Sequence, residues 1–229
     1  MYERPLVTVD VVLLTLHEGL LKVALHKRAV PPYEGALALP GGYVHTDKDQ
    51  SALETAFRVL RDKTGLKPRY LEQLCTFTGP VRDPRGWSVA ISYVGLIPYE
   101  ELSAAGGGGV FHFYPVEQLP ALAFDHAEQV KEAVARVRNK SIYSTLPCWL
   151  LPEEFTLTQL QKTYEQILGQ KVQRSTFRSR LGIKVNDTGE DDVTGTPILE
   201  ATDKLSTGNH RPARLYRVNH LSLFEQALW

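Results

Sequence analysis

The segment from residue 41 to residue 66 constrains the fold more than any other. It reads GGYVHTDKDQSALETAFRVLRDKTGL, in which two adjacent glycines end an apolar run and a helical pattern follows. Its apolar positions repeat at helical spacing: Leu53, Ala56, Phe57 and Leu60. Ser51 and Glu54 are placed as a capping box and Gly65 as the helix stop. The segment therefore predicts a strand, a loop and a capped helix, as found in α/β folds.

Strand patterns surround this helix. Residues 6–16 and 20–28 are β-rich and are separated by His17-Glu18-Gly19, which predicts a hairpin. The run ALALPGGYV that delivers the glycine pair predicts one further strand. Additional strands are predicted at about 70–78, 87–97 and 110–116, followed by a helix from about Asp125 to Lys140. We therefore expect an α/β domain over residues 1–143.

The pattern changes near residues 144–152, which predicts a second domain over 144–229. FTLTQLQKTYEQILG predicts a helix in which Thr156 and Gln159 form the capping box. In the next predicted helix, QRSTFRSRLG, Phe177 and Leu181 lie four residues apart and are expected to face the first helix. Because β-rich ILEAT and ARLYRV follow, the pattern indicates a helix-turn-helix with a wing.

The second helix carries a concentrated positive charge in a chain that is neutral overall. The protein has 26 Lys and Arg and 26 Asp and Glu, but residues 171–184 contain five basic residues and no acid. Such a helix is suited to the major groove of DNA, with the wing on phosphates. The candidate DNA contacts are Arg174, Ser175, Thr176, Arg178, Arg180, Lys184, Arg211 and Arg214. The alternative is a solvated basic face paired with loop acids: Asp187, Glu190, Asp191 and Asp192.

Composition favours a cytoplasmic protein. Cys75 and Cys148 lie far apart without a C-x-x-C partner, which suits a reducing compartment and predicts no zinc site. No apolar run approaches the roughly 20 residues of a membrane span, so we expect no membrane association.

The segment from residue 41 to residue 66 resembles the Nudix box. Aligned from Arg58 to Leu66, the three metal-binding glutamates of that motif fall on Val59, Asp62 and Lys63, and a fourth falls on Gln50. A magnesium ion on a pyrophosphate requires several carboxylate oxygens. We therefore expect no catalytic residues, no bound metal, no required cofactor and no hydrolase activity.

Over almost its whole length the chain resembles the Nudix-related transcriptional regulators of NAD metabolism, the NrtR family. In this chain the loop before the helix of the box is two residues longer than in the Nudix pattern. The resemblance depends on the order of VTVDVVLLTL, HKRAVPPYEGALALPGGYV, this elongated box, RDPRG, LAFDH, FTLTQLQKTYEQILG, STFRSRLG and RPARLYRV. It implies an N-terminal Nudix-like α/β/α sandwich with a mixed sheet and a C-terminal winged helix-turn-helix domain. It also implies a homodimeric repressor on double-stranded, palindromic operator DNA. The effector would be ADP-ribose or a related nucleotide, or a sugar in other branches.

A phosphate-bearing effector needs cations and hydrogen-bond donors in the Nudix-like cleft. The candidate ligand-binding residues are Arg28, Lys63, Arg82, Asp83, Arg85 and His126. Lys63 is a candidate to replace the metal by neutralising phosphate, and Asp83 to accept ribose hydroxyls. The alternative for Arg82 and Arg85 is a structural role in a loop that Asp83 stabilises. Arg58 is expected to pair with Glu54, one turn earlier.

Two other functions are consistent with these patterns. The chain could be a working ADP-ribose pyrophosphatase with an accessory domain, although the residues in the box argue against it. It could also be a non-enzymatic nucleotide or sugar binder whose winged domain contacts proteins. A steep dependence of affinity on salt would favour DNA over a protein partner.

Overall fold

The first strand lies at the centre of the N-terminal sheet in a computed structural model of the chain. The structure describes residues 4–105, 108–185, 191–193, 198–207 and 212–224. The chain divides into two compact units, Met1–Arg136 and Val137–Trp229. The domain boundary at residues 143 and 144 stays a prediction.

The first unit contains seven strands and three helices within the described residues. In chain order they are β1 (Leu6–His17), β2 (Leu20–Lys27), β3 (Leu37–Ala38), β4 (Gly41–Tyr43), α1 (Ala52–Thr64), β5 (Tyr70–Gly79), β6 (Ser88–Leu96), α2 (Tyr99–Ser103), β7 (His112–Pro115) and α3 (His126–Ser141). Helix α3 contains the boundary between the two units.

The sheet is mixed, as predicted. Its strand order is β3-β2-β1-β6-β5, with β4 on β1 and β7 on β2. Strand β1 runs antiparallel to β2 and β4 and parallel to β6. Residues 9–15 of β1 are buried without interruption, as expected for a central strand that is covered on both faces. Asp10 is the one carboxylate in this buried run, and it lies at the functional site.

Helix α1 confirms the prediction from the glycine-rich segment. The Ser51 side chain accepts a hydrogen bond from the N–H of Glu54, and Gly65 ends the helix in the left-handed conformation. Glu54, however, accepts from the N–H of Gln50, not of Ser51. Ala56 and Leu60 are fully buried. Helix α1 therefore packs its apolar face on the sheet and holds the loop after β4 in place.

The prediction of one strand over the run ALALPGGYV was wrong. Two short strands, β3 and β4, lie on either side of Pro40 and pair with different neighbours, β2 and β1. Proline has no N–H for a ladder hydrogen bond, so the strand is interrupted there. The short helix α2 was not predicted.

The second unit contains the predicted helix pair and wing. After a 3-10 turn (Leu146–Leu150) the described elements are β8 (Phe155–Thr156), α4 (Leu157–Leu168), α5 (Arg174–Arg180), β9 (Ile183–Val185), β10 (Asp191–Val193), β11 (Glu200–Leu205) and β12 (Arg214–Arg217). Strands β11, β12 and β8 form one small sheet, and β9 pairs with β10. Asp191 and Asp192 therefore lie in a strand and not in the predicted loop, whereas Asp187 and Glu190 lie outside the described residues.

The core of the second unit confirms the predicted packing of the two helices. Thr156 and Gln159 form a complete capping box, and Gly169 ends α4. Phe177 and Leu181 are buried, and the Phe177 ring lies edge-on to Tyr164 with ring centroids 5.2 Å apart. Helix α5 is thus fixed by its apolar side. Among the helices that the structure describes, none combines the length and apolarity needed to cross a membrane.

Candidate functional site

The six predicted ligand-binding residues lie in one cleft of the first unit. The cleft has a volume of about 190 Å³, and its lining includes Arg28, Lys63, Arg82, Asp83, Arg85 and His126. They come from the position directly after β2, from α1, from the loop between β5 and β6, and from the start of α3. The structure thus brings the six side chains together, while their binding of a ligand stays a prediction.

Asp10 forms the floor of this cleft. Its Oδ2 accepts a hydrogen bond from Gln129 Nε2 at 3.0 Å and lies 3.8 Å from His126 Nε2 and 3.9 Å from an Arg82 nitrogen. A Cβ on Gly41 would lie 2.1 Å from Asp10 Oδ1. The strand pairing therefore requires glycine at position 41, and the missing side chain opens the cleft above the carboxylate.

His126 supports the floor from helix α3. Its side chain is 4% exposed, and Nδ1 accepts a hydrogen bond from the N–H of Leu39 at 3.0 Å. Burial lowers the pKa of His126, and the nearby Asp10 only partly opposes this. The imidazole is therefore neutral at pH 7, with Nδ1 as acceptor and the Nε2 proton toward Asp10. His126 joins strand β1, the loop before β4 and helix α3.

Arg82 and Arg85 are each neutralised by an aspartate. Arg82 donates two hydrogen bonds of 2.7 Å to Asp125, and its side chain is 8% exposed. Arg85 makes a bidentate pair with Asp83 at 2.9 and 2.6 Å, and Asp83 also accepts from the backbone N–H of Arg85. Both oxygens of the buried Asp83 are therefore used within its own loop. The positive charges of these two arginines are therefore balanced within the protein, and their ion pairs hold the walls of the cleft in place.

Phe124 brings an aromatic ring to the same cleft. The guanidinium carbons of Arg28 and Arg85 lie 4.8 and 5.6 Å from its ring centroid, and Tyr33 meets it edge-on at 4.9 Å. The backbone of Phe124 has a φ of 53°, a left-handed conformation that is rare for an aromatic residue and often marks a functional position. A flat apolar surface among cations suits a nucleobase or sugar face.

Arg28 and Lys63 are the cations of the cleft that have no carboxylate partner among the described residues. Arg28 donates to the carbonyl oxygens of Pro32 and Val30 at 2.7 and 3.3 Å, and Lys63 Nζ donates to the Gly41 carbonyl at 2.6 Å. The residue Lys63 as a whole is exposed, but desolvation of its ammonium lowers the pKa. The charge of Asp10 opposes this decrease in the pKa, and the charge of Arg28 adds to it. The free positive charge of the cleft is therefore at these two residues.

The positions that correspond to metal-binding glutamates do not fit a magnesium ion. Val59 is 3% exposed, and its Cγ2 would lie 3.1 Å from a Cβ on Gly42. Asp62 is largely exposed and pairs with its neighbour Arg61 at 3.2 Å. Lys63 places an ammonium where oxygen ligands are needed. Within the described ranges no group of three or more His, Cys, Asp or Glu residues is arranged to hold a metal.

The predicted pair between Arg58 and Glu54 was wrong. Arg58 makes two hydrogen bonds of 2.7 Å to Asp49 and a third to the carbonyl of Tyr43. The Arg58 guanidinium holds the pKa of Asp49 far below its usual range. A bidentate fork on a fixed carboxylate is stronger than an exposed pair one helical turn apart, so Arg58 anchors the loop before α1.

A basic surface lies on the helix α5 of the second unit. Arg174 and Ser175 are exposed, and Thr176 and Arg178 are half-buried, while Phe177 between them is buried. Arg180 is also half-buried. Arg174 and Arg178 lie four residues apart and thus on one helix face. The placement is compatible with contacts to base edges and phosphates, which stay a prediction.

The candidate DNA contacts near the wing lie only partly within the described residues. Arg214 is exposed on β12, while Arg211 and the side chain of Lys184 lie outside the described residues. Arg217 makes a bidentate pair with Glu200, which keeps the pKa of that carboxyl well below its usual range. Arg217 therefore has a partner within the protein and is a weaker candidate for phosphate than Arg214.

Sequence reasoning missed Asp10, Tyr43 and Phe124 as cleft residues. A signal for Asp10 was present, because a single acid inside an apolar central strand is costly unless it is paired or used. No comparable signal marks Phe124, since its position depends on a left-handed backbone. Tyr43 enters through the hydrogen bond that its hydroxyl accepts from Arg85.

Comparison with known proteins identifies both parts of the chain. Residues 147–218 match the NrtR DNA-binding winged helix domain. The chain is 36% identical over 223 residues to the ADPR responsive transcriptional repressor NtrR of Acinetobacter baylyi, covering 94% of this chain and 83% of that repressor. It is also 33% identical over 132 residues to an ADP-ribose pyrophosphatase of Methanocaldococcus jannaschii, covering 58% of this chain and 75% of that enzyme.

Two solved structures are similar. Shewanella oneidensis NrtR complexed with a 27mer DNA has a TM-score of 0.82 at 34% identity, covering 96% of this chain and 98% of that one. The NUDIX domain of the same protein complexed with ADP ribose has a TM-score of 0.52 at 38% identity, covering 59% of this chain and 90% of that one.

The fold and the cleft define a class of protein in which a Nudix domain is followed by a DNA-binding winged helix domain. The similarity to the NrtR structures confirms the predicted fold class. Within that class the similarity extends along nearly the entire chain. The chain belongs to the NrtR family of transcriptional regulators.

Proposed function

We propose that this protein is a transcriptional repressor that binds palindromic operator DNA as a homodimer and responds to ADP-ribose or a related nucleotide. We further propose that the genes it controls belong to NAD metabolism. The observation that carries the proposal is the combination, in one chain, of the basic helix α5 with a cleft in which Arg28 and Lys63 have no carboxylate partner among the described residues. The related repressor, named for its response to ADP-ribose, supports the same assignment.

The effector would bind in the cleft of the first unit. Arg28 and Lys63 carry positive charge that no aspartate neutralises among the described residues, and a pyrophosphate supplies the missing negative charge. Lys63 would then do electrostatically what a divalent cation does in a Nudix enzyme. The ADP-ribose complex of a related NUDIX domain favours a nucleotide effector over the sugar alternative.

The cleft would bind its ligand without cleaving it. Hydrolysis of a pyrophosphate in this fold depends on carboxylates that hold metal, and the aligned positions provide a buried valine, an exposed aspartate in a local pair and an ammonium. No hydrolytic step follows from these residues. A regulator that does not consume its effector can report the effector's concentration.

The DNA contacts would come from helix α5 and the wing. Arg174 and Ser175 lie exposed at the start of the helix, where a recognition helix reaches base edges. Two such helices in a homodimer would read half-sites about 34 Å apart. Arg178 and Arg214 are suited to phosphates.

Helix α3 provides a covalent route from the cleft to the second unit. Asp125, directly before the helix, and His126 and Gln129 in its first turn hold the cleft floor through Arg82 and Asp10. The helix continues to Ser141 in the second unit. An effector that rearranges this floor changes the start of the helix. Effector binding would thereby lower the affinity for operator DNA.

Calorimetric titration with ADP-ribose in the presence of EDTA tests the effector site. The unaltered protein is expected to bind equally well with EDTA and with magnesium, because Lys63 replaces the metal. Lys63→Glu removes the ammonium and adds a like charge, so we expect at least about tenfold weaker binding in EDTA. Lys67→Glu, an exposed change outside the cleft, is the matched control and should bind as the parent does.

Two results would contradict this proposal. One is the absence of ADP-ribose binding to the unaltered protein. The other is a Lys63→Glu protein that binds ADP-ribose in EDTA as tightly as the parent.

A further inference from the structure

A second cavity lies beside the effector cleft. It has a volume of about 450 Å³ and shares Arg28, Val30 and Lys63 with the cleft. From this common wall it extends along the end of β2 and the start of β7, past Lys27 and His112. We call it the outer groove, and the effector cleft above Asp10 the inner cleft.

The two cavities differ in charge. The described lining of the outer groove includes His26, Lys27, Arg28, Lys63 and His112 and contains no aspartate or glutamate. The inner cleft also contains the buried carboxylates of Asp10 and Asp83, of which Asp83 pairs with Arg85 and Asp10 lies 3.9 Å from Arg82. An anionic group is therefore attracted most at the shared wall and in the groove, and least beside the carboxylate of Asp10.

The positive charges of the groove lack acidic partners within the described structure. Lys27 is exposed and makes no ion pair within the described structure. The hydrogen bonds that Arg28 and Lys63 donate there go to backbone carbonyl oxygens. The ring nitrogens of His26 lie 3.1 and 3.2 Å from the carbonyl oxygens of Lys27 and Leu39. Burial and then Lys63 lower the pKa of His26, although these two acceptors favour an imidazolium. Among the charged groups, Arg28 repels Lys63, and a bound anion would offset this repulsion.

The floor of the inner cleft suits an uncharged group. Asp10 is 7% exposed and keeps Oδ1 toward the space above Gly41, and a carboxylate oxygen accepts hydrogen bonds from sugar hydroxyls. The Phe124 ring provides a flat surface beside it. Both features suit an uncharged sugar or base.

We infer that the effector binds with its sugar or base in the inner cleft and its phosphate groups across the Arg28 and Lys63 wall into the outer groove, with Lys27 as a phosphate-binding residue. This assignment rests on the proposed function, because it orients the effector in that site. It makes the outer groove a phosphate subsite that works without a divalent cation.

The test compares two charge reversals that alter net charge equally. Lys27→Glu changes the groove, while Lys48→Glu changes an exposed lysine outside both cavities. Binding is measured by calorimetry in EDTA with two probes, ADP-ribose and inorganic pyrophosphate. We expect Lys27→Glu to weaken the binding of both probes about fivefold or more relative to Lys48→Glu. One exposed charge contact changes the affinity by up to about fivefold, and a charge reversal doubles the change in charge. Lys27→Gln should give an intermediate loss.

The outcomes separate the two proposals. Failure of ADP-ribose to bind the unaltered protein contradicts the proposed function, while pyrophosphate still tests the groove by itself. Equal binding of pyrophosphate to the Lys27→Glu and Lys48→Glu proteins would overturn the groove assignment, even where ADP-ribose binds tightly. A loss of pyrophosphate binding that is confined to Lys27→Glu and Lys27→Gln supports it.

Discussion

Replacement of Arg82 by methionine tests whether the Arg82–Asp125 ion pair holds the cleft together. Met keeps much of the side-chain volume but removes both 2.7 Å hydrogen bonds to Asp125 and one to Ser88. The Arg82 and Asp125 side chains are 8% and 20% exposed. Loss of one partner of a buried ion pair typically costs about 3–5 kcal/mol; because Asp125 retains some solvent, we expect about 2–4 kcal/mol.

The pH dependence separates lost charge pairing from lost packing. Burial raises the pKa of Asp125, but hydrogen bonds from Arg82 and Gln129 outweigh it, so the pKa in the folded protein is lowered. The pair thus stabilises the fold above the unfolded pKa of about 3.9, and this contribution is lost as the pH falls through the folded value. Without Arg82, burial dominates and Asp125 protonates more easily. The difference in stability between parent and variant should therefore be largest near pH 7 and shrink toward about pH 4.

Urea unfolding followed by circular dichroism at both pH values measures this effect. At pH 7 the midpoint should fall by about 1 M or more. Arg61→Met is the matched control, since the Arg61 and Asp62 side chains are 69% and 54% exposed and the change should stay within about 0.5 kcal/mol. A loss for Arg82→Met that is equal at both pH values, or no larger than for Arg61→Met, would refute the reasoning.

Two further predictions concern DNA binding and hydrolysis. Arg174→Ala and Arg178→Ala should each leave the fold intact. Each should weaken operator binding by about 1–3 kcal/mol or flatten the salt dependence of that binding by about one unit of slope. Unchanged gel-shift affinity in both variants would argue against helix α5 as the recognition helix. The purified protein with magnesium should release no AMP from ADP-ribose, because Val59 and Lys63 remove metal ligands. Steady turnover in that chromatographic assay would show that the cleft is an active site.

Local patterns in the sequence predicted the elements well where few alternatives exist. The capped helix α1, the helix pair of the second unit and the buried positions Phe177 and Leu181 follow from spacing and end signals, which depend on neighbouring residues alone. Strands β3 and β4 did not follow, because Pro40 divides a run that reads as one strand. Strands β8, β9 and β10 were missed because two- and three-residue strands leave little pattern.

Six residues of the cleft were predicted from the sequence, but the ion pair between Arg82 and Asp125 was not. Arg82 and Arg85 look in sequence like free phosphate ligands, and only the tertiary structure shows that Asp125, 43 residues away, neutralises the first. Pairing across such a distance is set by the way α3 meets the loop after β5. The same limit applies to Arg58, whose partner is Asp49 and not the residue one helical turn away.

The most direct test of the account is the effect of ADP-ribose on DNA affinity. Fluorescence anisotropy would use a palindromic duplex that the purified protein itself selects from a random pool, at fixed near-physiological salt, with and without ADP-ribose in EDTA. The account predicts tight, salt-sensitive binding to the duplex and at least about tenfold weaker binding when ADP-ribose saturates the cleft. The same affinity with and without ADP-ribose would contradict it.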